Sequence, residues 1–84
     1  MGLRLPSHIR DYPLSGDVIE ITERRADEAT DEQFDAEIML RVVAVNEERV
    51  WCKEYGKGHS LITLIAWKDR LDKSSRSKVI RGAD

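Results

Sequence analysis

Cysteine is nearly absent from this 84-residue chain. Cys52 stands alone, which excludes a disulfide within the chain and any metal site built on paired cysteines. A single thiol suits a reducing compartment, and the cytoplasm is the expected location. Histidine is almost as scarce, with only His8 and His59. Long apolar runs are also missing. The longest, residues 61–67, is interrupted by Thr63 and falls far short of the ~20 residues a membrane helix needs. The opening MGLRLPSHIRDYP has no apolar core of the secretory kind. Pro6 occupies the position where a myristoylation motif wants Ser or Thr. No membrane partner is expected, and no internal repeat or low-complexity tract is visible.

What is present is charge. Charged residues make up 36% of the chain and hydrophobic ones 40%, the balance of a globular protein of one domain. The net charge of −2 is uninformative, but its distribution is not. Residues 17–37 hold nine acids against two arginines, and residues 68–81 hold six bases against two acids. An acidic segment therefore precedes the centre of the chain and a basic one follows it.

Period-two alternation dominates that centre. Residues 1–16, with Pro6, Pro13 and Ser15-Gly16, read as an extended arm, frayed at its start, from which Leu3, Leu5, Ile9 and Leu14 could pack on the body. Residues 17–24 predict a first strand, with Ile19 and Ile21 on one face. Residues 25–36 break the pattern and read as a long acidic loop with one helical turn at most, where Thr30 would cap and Gln33 close the box. Residues 37–45 predict the clearest strand. Ile38, Leu40, Val42 and Ala44 share one face, and Glu37, Met39, Arg41, Val43 and Val45 share the other. Residues 49–55 and 59–67 predict two more strands, joined by the turn Gly56-Lys57-Gly58. One helical turn at 67–72 and a short strand at 78–81 complete the series, and residues 82–84 form a tail.

This order of strand, long acidic loop, three-strand meander, helical turn and closing strand resembles an SH3-like small barrel over residues 17–81. The expected fold is thus all-β in the main, with about five antiparallel strands and closed edges. The peptide-binding SH3 signatures are missing: there is no Ala-Leu-Tyr-Asp-Tyr stretch, no Trp-Trp pair and no Pro before the helical turn. Binding of proline-rich peptides is therefore not implied. The run RVVAVNEERVW at residues 41–51, followed by a glycine-rich turn and another apolar strand, is similar to short barrel proteins of phages and prophages. That likeness implies an accessory protein that binds something.

Catalytic constellations are thin. Cys52 alternates with Val50 in a strand and reads as a small buried hydrophobe. His59 lies at a turn edge, and a Cys52–His59 pair would lack an acidic orienter. The acids Asp27, Glu28, Asp31, Glu32 and Asp35 lack the alternation and central glycine of a calcium loop. Gly56-Lys57-Gly58-His59-Ser60 lies between strands rather than before a helix, unlike a phosphate-cradling loop. No enzyme activity, metal or cofactor is expected.

Binding remains. The first expectation is a protein partner, met by the acidic loop through Asp27, Glu28, Asp31, Glu32 and Asp35, with Trp51 and Tyr55 as aromatic anchors. Rows of acids can also imitate the phosphates of DNA, which would suit an inhibitor. The alternative is a nucleic-acid surface made of Trp51, Lys53, Tyr55, Lys57, Arg70, Lys73, Arg76 and Lys78, with Arg81 close behind. Self-association as a homodimer is a further option. The choice turns on Trp51, which is either core or an exposed platform.

Overall fold

Alternating sequence becomes a sheet of five strands. The computed structural model describes residues 4–83 and runs α1 (Pro6–Asp11), β1 (Val18–Ala26), β2 (Gln33–Val45), β3 (Arg49–Glu54), β4 (Gly58–Thr63), α2 (Leu64–Lys73) and β5 (Arg76–Arg81). The strands lie in the order β4-β3-β2-β1-β5, and every pairing is antiparallel. The fold is mainly β, as expected. β4 and β5 end the strand order, and α2 carries the chain from one to the other.

The inner face of the sheet holds the core. Ile19 and Ile21 pair with Leu40 and Ile38, and Val42 pairs with Cys52. With Val50 these side chains are buried, and Ile9 of α1 and Trp67 and Leu71 of α2 cover them. The Trp67 indole N–H donates to the carbonyl of Ile9 at 3.0 Å, so the buried ring keeps its one polar group satisfied and ties the helices together.

The structure corrects several expectations. Residues 1–16 are not simply an extended arm. Pro6 sits in the first turn of α1, where its missing N–H costs nothing, and Ile9 and Pro13 are buried. Leu3 and Asp84 lie outside the described residues. The acidic segment is mostly strand. β1 continues to Ala26 and β2 begins at Gln33, leaving only residues 27–32 as a turn with no helix. In that turn Asp27 Oδ1 accepts from the Ala29 amide, Thr30 Oγ1 accepts from the Glu32 amide, and Asp31 takes φ 58°, which Asp tolerates.

The fourth strand stops at Thr63. Its hydroxyl accepts from the Ala66 amide and starts α2, ten residues long rather than a single turn. Leu64, Trp67 and Leu71 then share one helical face. The paired strands β1 and β2 project beyond the covered core as an acidic arm, and the long dimension of the molecule is 45 Å.

Candidate functional site

A sheet with helices on one side leaves its other side bare. The outer face of this sheet carries the residues that alternate with the core: Val18, Glu20 and Thr22 on β1; Glu37, Met39 and Arg41 on β2; Trp51 and Lys53 on β3; and His59 and Leu61 on β4. Trp51 is 39% exposed, Tyr55 46% and Leu61 49%. The exposed-platform reading of Trp51 is therefore the one that holds.

Register organises these side chains into rows. Val18 pairs with Arg41 on one side and with Arg81 on the other. Arg41 pairs with Lys53, and Lys53 pairs with His59. One cross-strand row thus reads Arg81, Val18, Arg41, Lys53, His59 and spans all five strands. An adjoining row holds Ala44, Trp51 and Leu61. On the opposite flank lie Lys78, Glu20 and Met39, and Tyr55 donates its amide to the Met39 carbonyl.

A bulge between Val42 and Ala44 shifts the β2–β3 register by one residue and leaves Val43 without a partner in the ladder. The Trp51 ring stacks on His59, with centroids 5.9 Å apart and planes inclined by 22°. Lys53 Nζ lies 5.3 Å from the centroid of the Tyr55 ring, within cation–π range.

The electrostatics separate this face from the rest of the molecule. Among the described residues, Arg41, Arg49, Lys53, Arg76, Lys78 and Arg81 have no ion-pair partner. On the inner side Lys68 of α2 likewise has none, but the arginines there are engaged. Arg70 pairs with Glu23 and with the nearly buried Glu54, and Arg25 reaches the same two carboxylates.

Burial alone would raise the Glu23 carboxyl. Hydrogen bonds and charge from Arg70 and Arg25 outweigh it and hold the group below the usual glutamate range. For Arg70, burial would lower the guanidinium, and Glu23 and Glu54 reverse that and raise it. These charges close one end of the core and are not free for a ligand.

The expected site residues are therefore redistributed. Trp51, Lys53 and Tyr55 do come together. Arg76 and Lys78 lie on β5, paired with Thr22 and Glu20 at the margin of the same face. Lys57 sits in the β3–β4 turn, 3.7 Å from Glu54. Arg70 is spent in the inner ion cluster, and Lys73 pairs with Asp69 along α2, on the core side of the sheet. Both leave the nucleic-acid set.

Asp27, Glu28, Asp31 and Glu32 occupy the exposed tip of the arm, and Asp35 pairs with Arg24 on its flank. Arg41, His59 and Arg81 join the aromatic residues instead. The position of Arg41 among the outer residues of β2 was the available signal. Its neighbours in β5 and β4 emerge only from the register.

The pairing of Cys52 with His59 does not form. Cys52 pairs with Ser60 and points into the core, where burial pushes its thiol up, and His59 stands on the outer face. Among the described residues no three His, Cys, Asp or Glu side chains converge as a metal site, and no helix is long and apolar enough to cross a membrane.

Two shallow concavities complete the outer face. One, about 390 Å³, lies between Arg41, Arg81 and Tyr55. The other, about 360 Å³, lies beside Trp51, Leu61 and Arg49. No protein-family model, curated protein or solved structure matches this chain, so the reading of this surface rests on its geometry and chemistry alone.

Proposed function

We propose that this protein binds single-stranded nucleic acid on the outer face of its sheet. One observation carries the reading: a row of cations with no ion-pair partner among the described residues, Arg81, Arg41 and Lys53, is bracketed by the exposed rings of Trp51 and Tyr55. Bases stack on aromatic rings whatever their sequence, and phosphates follow the cations. A duplex offers its bases only at their edges, so exposed rings favour a single strand.

The acids at the arm tip do not oppose this. From Gln33 to Arg41 β2 spans about 26 Å at ~3.3 Å per residue. Charges separated by that distance are largely screened at a Debye length of about 8 Å.

Titration of a fluorescent single-stranded oligonucleotide tests the proposal. Neutralising about four phosphates should give a slope of about −3 in log K against log salt. Trp51→Ala should weaken binding about 5- to 150-fold, the worth of ~1–3 kcal/mol for one stacked base. Absence of binding at low salt would overturn the reading.

The arm supports a second, separate reading. Phe34 is 47% exposed beside the acidic tip, and an apolar group among acids suits a basic protein surface. That would make the protein a protein-binding accessory or inhibitor. A partner captured from lysate should be lost when Asp27, Glu28, Asp31 and Glu32 become amides. A partner retained by that variant removes this reading.

A further inference from the structure

The concavity between Arg41 and Arg81 differs from the rest of the outer face because its walls are built. Its floor is Val18, which pairs with both arginines, so two guanidinium groups flank one apolar residue. The turn at Ser15 and Gly16 forms one wall. It is fixed by the Gly16 amide on the Val42 carbonyl at 2.8 Å and by the Ser15 hydroxyl on the Val43 carbonyl at 2.7 Å. Gly16 takes φ 99°, which glycine adopts without strain.

Gly82 and Ala83 form the other wall. The Ala83 amide donates to the fully buried Asp17 at 2.7 Å, and Gly82 packs so closely on Arg4 that an added Cβ would lie 3.0 Å from the Arg4 Cβ. Asp17 also accepts from the Leu14 amide and pairs with Arg4. This carboxylate is therefore engaged and does not compete for Arg41 or Arg81.

The row ends in this concavity, on β5, the last strand of the sheet order. A polymer laid across Trp51 and Lys53 reaches the margin of the face here, where the group it presents can be a chain end. Two guanidinium groups with no ion-pair partner among the described residues match a phosphate monoester, which carries about −1.5 to −2 charges at neutral pH, better than an internal diester with one. Resting on the single-strand reading above, we propose that Arg41, Arg81 and Tyr55 seat the terminal phosphomonoester of a single-stranded oligonucleotide.

Three oligonucleotides of one sequence test this: 5′-phosphorylated, 3′-phosphorylated and unphosphorylated, each titrated by fluorescence anisotropy. One phosphorylated form should bind about tenfold tighter than the unphosphorylated form, the gain from one added charge-assisted contact. Inorganic phosphate should erode that advantage before it erodes binding of the unphosphorylated form. Arg81→Gln and Arg41→Gln should each bring the phosphorylated form down to the level of its unphosphorylated counterpart. Trp51→Ala should weaken all three forms and preserve their ratio. Circular dichroism of each variant confirms that it is folded.

Equal binding of the three forms by the wild-type protein overturns the end seat and leaves the single-strand reading standing. So does a preference that survives in both arginine variants. Failure of all three to bind overturns both proposals.

Discussion

Trp51 and Trp67 carry the same side chain and do opposite things. Trp51 lies on the bare face of β3, with His59 stacked on it. Trp67 is fully buried, and its only polar atom is matched to the Ile9 carbonyl. Replacing Trp67 by Phe keeps most of the bulk and removes the donor, leaving a buried carbonyl without its partner. The expected loss is about 1–3 kcal/mol in a denaturant titration. An unchanged midpoint would mean that this bond does not hold α1 on the core. Sequence alone could not assign these fates, because both residues sit in apolar surroundings and burial is decided by what covers them.

At the scale of elements, β2 and β3 were legible almost throughout. Alternation in residues 37–45 named Ile38, Leu40 and Val42 correctly as inner and Met39 and Arg41 as outer, but it failed past the bulge at Val43. Ala44, expected inside, is exposed opposite Trp51, and Val45, expected outside, pairs with Val50 and packs on the core. The start of α2 was not legible. Residues 61–67 are continuously apolar apart from Thr63, and a short apolar run fits a buried strand as well as a helix. The deciding signals were the Thr63 hydroxyl and the spacing of Leu64, Trp67 and Leu71, which extends past the run.

The arm was misread for a different reason. Its residues are polar on both faces because they project past the core, so the apolar half of the alternation is missing while the hydrogen-bonded ladder persists to Ala26 and Gln33. Of the nucleic-acid set, the row on β3 was readable. Arg70, on α2, was not, because its partners Glu23 and Glu54 come from β1 and β3.

At the scale of the whole molecule, charge is sorted by side. Paired charges seal the inner end of the core, cations without an ion-pair partner among the described residues stand on the outer face beside Glu20 and Glu37, and Asp27, Glu28, Asp31 and Glu32 crowd the tip of the arm. The sealing cluster makes stability depend on pH. The Glu23 carboxyl is held below its usual range in the folded state, and Asp11 is held low as well, chiefly by its hydrogen bond to Arg10.

The folded protein therefore binds fewer protons than the unfolded chain in mild acid, and acid favours unfolding. Stability should be level above the ordinary glutamate value of about 4.3 and should fall as pH drops through the depressed value. Urea midpoints measured from neutral pH down to about pH 3 check this. Arg70→Gln should flatten the decline, and a decline unchanged in that variant would exclude the cluster as its cause.

The contact of Gly82 with Arg4 brings the first and last described parts of the chain side by side, joined through Asp17. In topological terms the domain is close to a ring. A short bridge from Ala83 directly to Arg4 would close it without moving a strand, and the backbone could then be opened at the exposed Asn46–Glu48 turn. Polypeptide joined directly at Arg4 or at Ala83 starts from the same corner, against the wall of the Arg41–Arg81 concavity. A fusion made at those residues is thus a probe of that corner, and it would crowd the ligand it is meant to report.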